Sequence, residues 1–221
     1  MYSVKTSELY DLSHTIARDL LSECEYPWLA LPKIKDFVKD IIKLLSEDEY
    51  YLYAEDVLIS KSATISPSAT ICGPTVIGAG TEVRPGAYIR GSVIVGENCV
   101  VGNSCELKNS ILFDNVQVPH FNYIGDSILG YRSHTGAGAI TSNVKSDKTL
   151  VCVNCNGTRI DTGLKKFGAM IGDFVEVGCN SVLNPGTVIG RNTSVYPLSS
   201  VRGVIPQNSI FKSQANIVTK N

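Results

Sequence analysis

Apolar residues in the middle and C-terminal parts of the chain recur every six positions. Successive blocks open with an aliphatic residue and, from Ile59, read ISKSAT, ISPSAT, ICGPTV, IGAGTE and VRPGAY; the rhythm returns later in IGDFVE, VGCNSV, LNPGTV and IGRNTS. An amphipathic helix would repeat about every 3.6 residues, and a half-buried strand every two. A period of six therefore predicts short strands joined by turns, as in a hexapeptide-repeat parallel β-helix.

The β-helix class gives this repeat a three-dimensional interpretation. Three hexads would close one triangular coil of eighteen residues, with the aliphatic residue inside and with Gly or a small residue at the bends. Residues eighteen apart would then lie above one another at the inter-strand spacing of about 4.8 Å. The expected fold is mainly β: a left-handed parallel β-helix with a short N-terminal α-helical segment and an inserted β-hairpin loop.

The breaks in the rhythm suggest the organisation of the chain. We expect an N-terminal helical cap over residues 1–56, a β-helix over 57–206 with an insertion at 144–168, and a C-terminal tail at 207–221. The hexad phase also slips within 113–128. Inside the insertion, LVCV and TRI flank NCNG, which predicts a β-hairpin with Asn-Gly in its turn. Loops inserted into a rigid scaffold often carry binding residues.

The first fifty residues predict helices. Ser13 is expected to cap one helix through IARDLLSECE, and a second follows Pro32 with apolar residues at helical spacing. We expect this pair to cover the open first coil, because an uncapped β-helix exposes strand edges and apolar surface. An arm that stabilises a trimer or binds a partner explains the segment equally well.

Composition excludes several functions. Twenty basic and twenty-one acidic residues leave a formal charge of −1, which predicts no binding to nucleic acid or to an anionic membrane. No apolar run approaches the roughly 18 residues of a membrane span, so a cytoplasmic location is expected. Seven scattered cysteines argue against a disulfide framework. Cys152 and Cys155 form a CxxC without two further ligands, and we interpret them as hairpin residues, with no metal site.

The candidate chemistry centres on His120, in the segment VPHFNYIGD. The eighteen-residue rule stacks Arg90 on Lys108, and His120 follows twelve positions later with Tyr123 beside it. Two stacked cations near a candidate base suggest a pocket for a phosphorylated substrate whose nucleophile His120 would deprotonate.

Five segments carry a resemblance to a known family: VRPGAYIRG, ELKNS, PHFNYIGDSILG, HTGAGAITSN and KKFGAMIGDFVEVG. They resemble the acetyltransferase domain of bifunctional N-acetylglucosamine-1-phosphate uridyltransferase/glucosamine-1-phosphate acetyltransferase, over about residues 57–206. The leader containing EYPWLALPKI is similar to a standalone bacterial subgroup related to UDP-N-acetylglucosamine pyrophosphorylase. Because 56 residues cannot hold a nucleotidyltransferase domain, we expect no nucleotidyl transfer from this chain.

The resemblance implies an acyltransferase that moves an acetyl group from acetyl-CoA to the amine of a sugar phosphate or nucleotide sugar, with His120 as the general base. It implies a homotrimer with pockets between neighbouring β-helices. Arginine assignment is ambiguous, since Arg84 has the family's Arg-Pro-Gly context and Arg90 its spacing; spacing favours Arg90. The other implied substrate-binding residues are Lys108, Tyr123, His134, Asn143 and Lys166.

The implied acetyl-CoA site contains Ala137, whose neighbourhood would supply backbone N–H groups to an oxyanion. This sequence also departs from the family pattern: His134 replaces an asparagine, Val144 a tyrosine, Cys179 a serine and Pro197 an alanine. These departures keep open a non-catalytic trimeric module that binds a sugar nucleotide or acts as a scaffold. A γ-type carbonic anhydrase would need three histidine ligands, and only two histidines lie in the repeat.

Overall fold

The computed structural model describes residues 3–220 and contains a left-handed parallel β-helix. Its short strands lie on three faces, and each pairs with strands of the neighbouring coils. Residues 1 and 2 of the expected cap and residue 221 of the expected tail lie outside the described residues. The predicted fold class is confirmed.

The three faces follow one another along each coil. The first face consists of Val57–Ser60, Thr75–Ile77, Val93–Val95, Ala169–Ile171, Thr187–Ile189 and Val204–Ile205. The second consists of Thr64–Ile65, Glu82–Val83, Val100–Asn103, Gln117–His120, His134–Thr135, Glu176–Val177, Ser194–Val195 and Ser209–Ser213. The third consists of Thr70–Ile71, Tyr88–Ile89, Ile140–Thr141, Val182–Leu183 and Ser200–Val201.

Two longer strands, Glu106–Leu112 and Tyr123–Leu129, run from the third face into the first. An antiparallel strand ends the ladder at each side. Tyr50–Ala54 pairs with the first coil, and Asn216–Thr219 pairs with Ser209–Ser213. Part of the segment expected as a C-terminal tail therefore continues the ladder.

The coil length changes along the helix. Thr75 pairs with Val93 eighteen residues later, whereas Val93 pairs with Ser110 after seventeen. One residue is lost where Lys108 and Asn109 pass the edge, and this shortening underlies the phase slip seen in the sequence. Later, Val188 pairs with Val204 after sixteen residues. The strict eighteen-residue rule therefore holds for the first coils and again after the insertion, but not throughout.

The insertion separates two coils that stack directly. His134 pairs with Glu176, forty-two residues along the chain. Within the insertion, Cys152–Cys155 and Thr158–Asp161 form an antiparallel hairpin. Its turn residues Asn156 and Gly157 have φ values of 49° and 78°, as a type I′ turn requires. The predicted hairpin is confirmed.

First-face strands are buried on both sides, as in the fully buried triplets Thr75–Ile77 and Val93–Val95. Strands of the other two faces alternate between buried and more exposed residues, as in Glu176–Val177. The difference arises because the N-terminal segment packs along the first face. The Tyr10 hydroxyl donates to the carbonyl of Ile128, and Trp28 packs against Phe167.

The N-terminal segment is more broken than the sequence predicts. Its α-helices are Thr6–Leu9, Arg18–Ser22 and Ile34–Ile42, with 3₁₀ turns at Leu12–His14 and Pro27–Lys33. Ser13 caps no helix; its backbone N–H instead donates to the side chain of Asp11. That capping prediction was wrong because the local Asx turn competes with a helix at this position.

The N-terminal segment reaches the far coils as well as the first ones. Buried Asp173 accepts hydrogen bonds from the backbone N–H groups of Asp11 and Tyr131, each at 2.8 Å, and from the Arg191 guanidinium. Burial raises the pKa of the Asp173 carboxyl above its ordinary value. The helical part of the segment therefore lies along one side of the β-helix, while its last strand, Tyr50–Ala54, pairs with the first coil. Of the helices in residues 3–220, none could span a membrane.

Candidate functional site

The residues predicted to form the site divide between the two edges of the third face. The Lys108 edge, where the third face turns into the first, contains Arg90, Lys108, Asp126 and Asn143. The His120 edge, where the second face turns into the third, contains His120, Ala137, Cys179 and Pro197. Tyr123 lies on the face between them.

The side chains at the Lys108 edge are interlocked through Asp126. One carboxylate oxygen of Asp126 accepts hydrogen bonds from the Lys108 ammonium, at 3.3 Å, and from the Asn143 amide. The other accepts from the amide of Asn109 at 2.8 Å. Asp126 is only 3% exposed, so its charge depends on these partners for compensation.

The local sequence explains this geometry. The tight edge requires left-handed backbone, and Asn109 and Asp126 adopt φ values of 47° and 48°; Asn and Asp tolerate that region better than most residues. The returning insertion then covers the edge. Phe167 N–H donates to the carbonyl of Asn143 at 2.9 Å, and Gly168 N–H donates to that of Asp126 at 2.8 Å.

Tyr123 is held against the same cluster. Its hydroxyl accepts a hydrogen bond from the Asn143 amide at 3.2 Å. A Cβ atom at Gly125 would lie 2.4 Å from the Tyr123 hydroxyl oxygen, so the glycine makes room for the phenol. Burial, followed by the nearby carboxylates of Asp126 and Glu106, raises the pKa of the Tyr123 phenol. The neutral hydroxyl is left with a proton to donate to a ligand.

The structure brings Arg90, and not Arg84, to the Lys108 edge. The backbone N–H of Arg90 donates to the carbonyl of Leu107, so Arg90 lies one coil before Lys108, as its spacing predicts. The Arg90 guanidinium pairs with Glu106 at 2.7 Å. Arg84 instead follows a second-face strand, where it pairs with Glu82 at 2.9 Å.

Lys166 is exposed and directly precedes Phe167 in the returning part of the insertion. Its neighbour Phe167 is fully buried and carries the backbone hydrogen bond to Asn143 described above. The preceding residue, Lys165, is exposed as well. Two exposed cations therefore directly precede Phe167, while the cations of the Lys108 edge itself, Arg90 and Lys108, are paired with carboxylates.

The His120 edge is a column of residues from successive coils. Gly138 N–H donates to the carbonyl of His120 at 3.0 Å, and Asn180 and Leu198 N–H groups donate in turn to Ala137 and Cys179. This ladder stacks His120, Ala137, Cys179 and Pro197. The predicted base and the predicted acetyl-CoA residues thus share one edge, although the sequence resemblance gave no such spatial relation.

The His120 edge is open where the Lys108 edge is interlocked. His120 is exposed, and no side chain within residues 3–220 hydrogen-bonds its imidazole. The backbone N–H groups of Ala137 and Cys179 likewise have no hydrogen-bond acceptor in the described part of the chain. Small side chains and unused N–H donors next to an imidazole suit a thioester carbonyl, whose developing negative charge such donors stabilise.

Within one chain, the imidazole and the two stacked cations do not meet. His120 lies at the edge before the third face, whereas Lys108, which pairs with Gly125, lies at the edge after it. The sequence placed His120 near the cations because it followed spacing along the chain rather than the path around the edge.

His134 lies on the second face, away from both edges. It pairs with Gln117 in the preceding coil and Glu176 in the following one, and its Nδ1 lies 2.8 Å from the Glu176 carboxylate. Glu176, Glu106 and Asp126 pair with predicted site residues although neither the repeat nor the resemblance pointed to them. Asp126 lies one position past Gly125, the partner of Lys108 in a coil of seventeen residues, so its contact with Lys108 does not follow from a strict eighteen-residue stacking rule. Among residues 3–220, no three His, Cys, Asp or Glu side chains are grouped as metal ligands.

Comparison with known proteins supports the resemblance. The family model of the GMPPB C-terminal domain matches residues 71–164. A bifunctional sugar-1-phosphate nucleotidylyltransferase/acetyltransferase of Sulfurisphaera tokodaii is 36% identical over 103 residues, which are 47% of this chain and 26% of that protein. Bifunctional protein GlmU of Methanococcus maripaludis is 36% identical over 112 residues, or 50% of this chain and 27% of its own length.

The chain resembles these bifunctional proteins. It spans about a quarter of the length of the two curated relatives described, so the likeness extends to one part of each. Two solved structures have lower similarity. An N-acyltransferase of Bacillus cereus in complex with dTDP and coenzyme A is 18% identical, with a TM-score of 0.37 over 78% of this chain and 91% of that one.

The other is the acetyltransferase domain of PglB from Neisseria gonorrhoeae in complex with acetyl coenzyme A. It is 20% identical, with a TM-score of 0.28 over 73% of this chain and 56% of that one.

Proposed function

We propose that the chain is an acetyl-CoA-dependent N-acyltransferase acting on the amine of a sugar phosphate or nucleotide sugar, with His120 as the general base. The observation that carries the proposal is the column in which His120 lies directly before Ala137 and Cys179, whose N–H groups have no acceptor in residues 3–220. The Sulfurisphaera tokodaii relative, whose name combines sugar-1-phosphate nucleotidylyl transfer with acetyl transfer, supports this substrate class.

The residues of the two edges would have different roles in the reaction. Acetyl-CoA, when bound, supplies an acyl group activated as a thioester. His120 takes the proton that the acceptor amine loses as its nitrogen forms a bond to the acyl carbon and the carbon–sulfur bond breaks, and the imidazolium then returns a proton to the departing thiolate. Backbone N–H groups of Ala137 and Cys179 stabilise the charge on the carbonyl oxygen. Pro197 continues the same column and would border the pantetheine arm.

The acceptor would bind through the Lys108 edge. Lys108, Arg90 and Lys166 supply positive charge for a phosphate, and Tyr123 and Asn143 supply hydrogen bonds. Because the two edges lie apart in one chain, we propose a homotrimer in which the Lys108 edge of one copy faces the His120 edge of the next. The first face is already covered by the N-terminal segment, which leaves the second and third faces for this contact.

Thiol release from acetyl-CoA in the presence of glucosamine 1-phosphate tests the proposal. The His120→Ala variant is expected to lose about 10²- to 10⁴-fold in kcat. His14→Gln is the matched control, because His14 belongs to the N-terminal segment. Its ring stacks on that of Tyr131, and it lies at neither edge. Turnover that survives in His120→Ala would remove His120 from the role of base.

A second candidate is a non-catalytic trimeric module that binds a sugar nucleotide. It is favoured by the pairing of both Arg90 and Lys108 with carboxylates and by the lack of a side chain that orients His120 within residues 3–220. Isothermal titration separates the two functions. Binding of a sugar nucleotide without any thiol release by the wild-type chain would favour the module.

A further inference from the structure

The residue that precedes each third-face strand is small in every coil except the one that carries His120. These strands pair in register from Thr70 to Ser200, so the residues that precede them stack as well. That column consists of Ala69, Ala87, Cys105, Asn122, Ala139, Ser181 and Ser199. Asn122 is its largest and most polar member, and it is only 2% exposed.

Both ends of the Asn122 amide are hydrogen-bonded, as a buried amide requires. Its Oδ1 accepts from the backbone N–H of His120 at 3.1 Å and from the Cys105 thiol at 3.5 Å. Its Nδ2 donates to the carbonyls of Gly136 at 2.8 Å and Ala139 at 3.1 Å. A backbone N–H can only donate and a carbonyl can only accept, so these partners fix the orientation of the amide.

The Asn122 side chain thus connects the turn that carries His120 with the turn that carries Ala137. Gly136 and Ala139 flank Ala137, and the carbonyl of Gly136 also accepts the N–H of Ala139 at 3.1 Å, which closes that turn. The Ala137 N–H itself has no acceptor in residues 3–220. Asn122 therefore sets the spacing between the two turns through the backbone, without hydrogen-bonding the imidazole.

We propose that Asn122 is a positioning residue for acyl transfer, which keeps the His120 base in register with the Ala137 N–H donor. The role in acyl transfer rests on the proposed function. Base and donor must act on one thioester carbonyl, and a misplacement of about 1 Å can cost about 100-fold in rate. Alanine or serine, as in the neighbouring coils, is too short to reach from the His120 N–H to carbonyls of the next coil.

Asn122→Ser tests the assignment, with Asn122→Thr as a second variant. Serine and threonine occupy buried small positions elsewhere in the β-helix, at Ser181 and Thr193, so both variants should fold. In thiol release from acetyl-CoA with glucosamine 1-phosphate, kcat should fall roughly 10- to 100-fold. The KM for glucosamine 1-phosphate should stay within about twofold of the wild-type value, because the acceptor binds at the Lys108 edge.

Thr81→Ala is the matched control. Thr81 is fully buried and also bridges two coils, since its hydroxyl donates to the carbonyl of Gly96 at 2.7 Å and accepts from the N–H of Cys99 at 3.0 Å. It precedes the second-face strand Glu82–Val83 and so lies away from both edges of the third face. Its loss should lower stability and leave kcat unchanged. Equal losses of kcat in the control and in Asn122→Ser, or an unchanged kcat in Asn122→Ser, would contradict the positioning role.

Hydrogen exchange of the backbone amides in the full chain gives a readout that needs no turnover. Gly138 N–H donates to the carbonyl of His120 and so reports on the contact between the two turns. In Asn122→Ser this amide should exchange roughly tenfold faster or more than in the wild-type chain. The Leu198 amide, farther along the same edge, should keep its rate, and Thr81→Ala should leave both amides unchanged.

The two readouts separate the two proposals. A Gly138 exchange rate that Asn122→Ser leaves unaltered would show that Asn122 does not hold the turns together, whatever the chain catalyses. A wild-type chain that releases no thiol would instead contradict the proposed function, and exchange at Gly138 would still decide whether Asn122 joins the turns of His120 and Ala137.

Discussion

The two edges of the third face use the same kind of turn in opposite ways. At the Lys108 edge, the backbone turn carries Asn109 and Asp126, whose side chains bind each other, and the insertion covers them. At the His120 edge, the left-handed position is taken in successive coils by Gly86, Ser104, Phe121, Gly138, Asn180 and Leu198. Phe121 and Leu198 are 63% and 81% exposed.

The edges differ in how many of their polar groups already have hydrogen-bond or ion-pair partners within one chain. The charged groups and amides at the Lys108 edge are ion-paired or hydrogen-bonded to one another. Removing any of them should therefore lower the stability of the fold as well as change the site. At the His120 edge the imidazole, two N–H groups and two large apolar side chains are left open, so their loss should affect function and association more than stability. Variants at the two edges can separate these cases.

The largest stability effect is expected for Asp126→Ala. This change leaves the amides of Asn109 and Asn143 and the Lys108 ammonium without their buried acceptor, and we expect a loss of about 3–5 kcal/mol in the free energy of unfolding. His120→Ala, at the open edge, should lie within about 0.5 kcal/mol of the wild-type chain. Urea unfolding measures both, and similar losses in the two variants would refute the contrast between the edges.

Lys108→Gln should have a smaller effect on the fold and a marked one on the proposed acceptor. Lys108 is partly exposed, so solvent lowers the cost of leaving Asp126 without its cation to about 1–3 kcal/mol. The KM for glucosamine 1-phosphate should rise roughly tenfold or more, since a hydrogen bond from a charged donor is lost.

Lys148→Gln is the control for that variant, because Lys148 is an exposed cation of the insertion and belongs to neither edge. An equal rise in KM in both variants would mean that the effect is one of general charge.

The fold followed from the sequence because the hexad repeat is a local signal repeated many times. Aliphatic residues such as Ile77 and Val95 are buried in the interior of their coils. Each coil contacts only its neighbours, so an error in predicting one coil leaves the predicted fold of the others unchanged. The Asn156-Gly157 turn was predictable for the same reason, since its backbone requirement is set by two residues.

The site was only partly predictable because it depends on relations that no local pattern carries. The coil is one residue shorter just after Lys108 than the eighteen-residue repeat, which changes the register of the following coils. The turn between the second and third faces places His120 at the opposite edge of the third face from the cations. Asp126 reads as an ordinary turn residue until the insertion covers it. The covered first face did leave a signal in the sequence: its strands are continuously apolar, as in Val93–Val95, which is typical of strands buried on both sides.

A double-mutant cycle at Gly125 tests how tightly the Lys108 edge is packed. Gly125→Ala should displace the Tyr123 phenol and cost about 1–3 kcal/mol in the free energy of unfolding. In a Tyr123→Ala background, the same glycine substitution should cost little, because the clashing ring is gone. Thermal or urea unfolding of the four chains gives the coupling energy, and equal costs in both backgrounds would show that the phenol does not lie over Gly125.

Phe121→Asn should have the smallest effect on the fold and should act on association instead. A large side chain in left-handed backbone costs roughly 1 kcal/mol, a cost that asparagine mostly avoids, so the variant chain should be as stable as the wild type or slightly more so. The wild-type residue makes sense if the exposed ring is buried against a second copy. We therefore expect Phe121→Asn to weaken the proposed trimer in light scattering. Leu44→Asn, which removes a still more exposed apolar residue from the N-terminal segment, should leave the trimer intact. An unchanged trimer in the Phe121 variant would remove the His120 edge from the subunit contact, and with it the reason for placing the active site between copies.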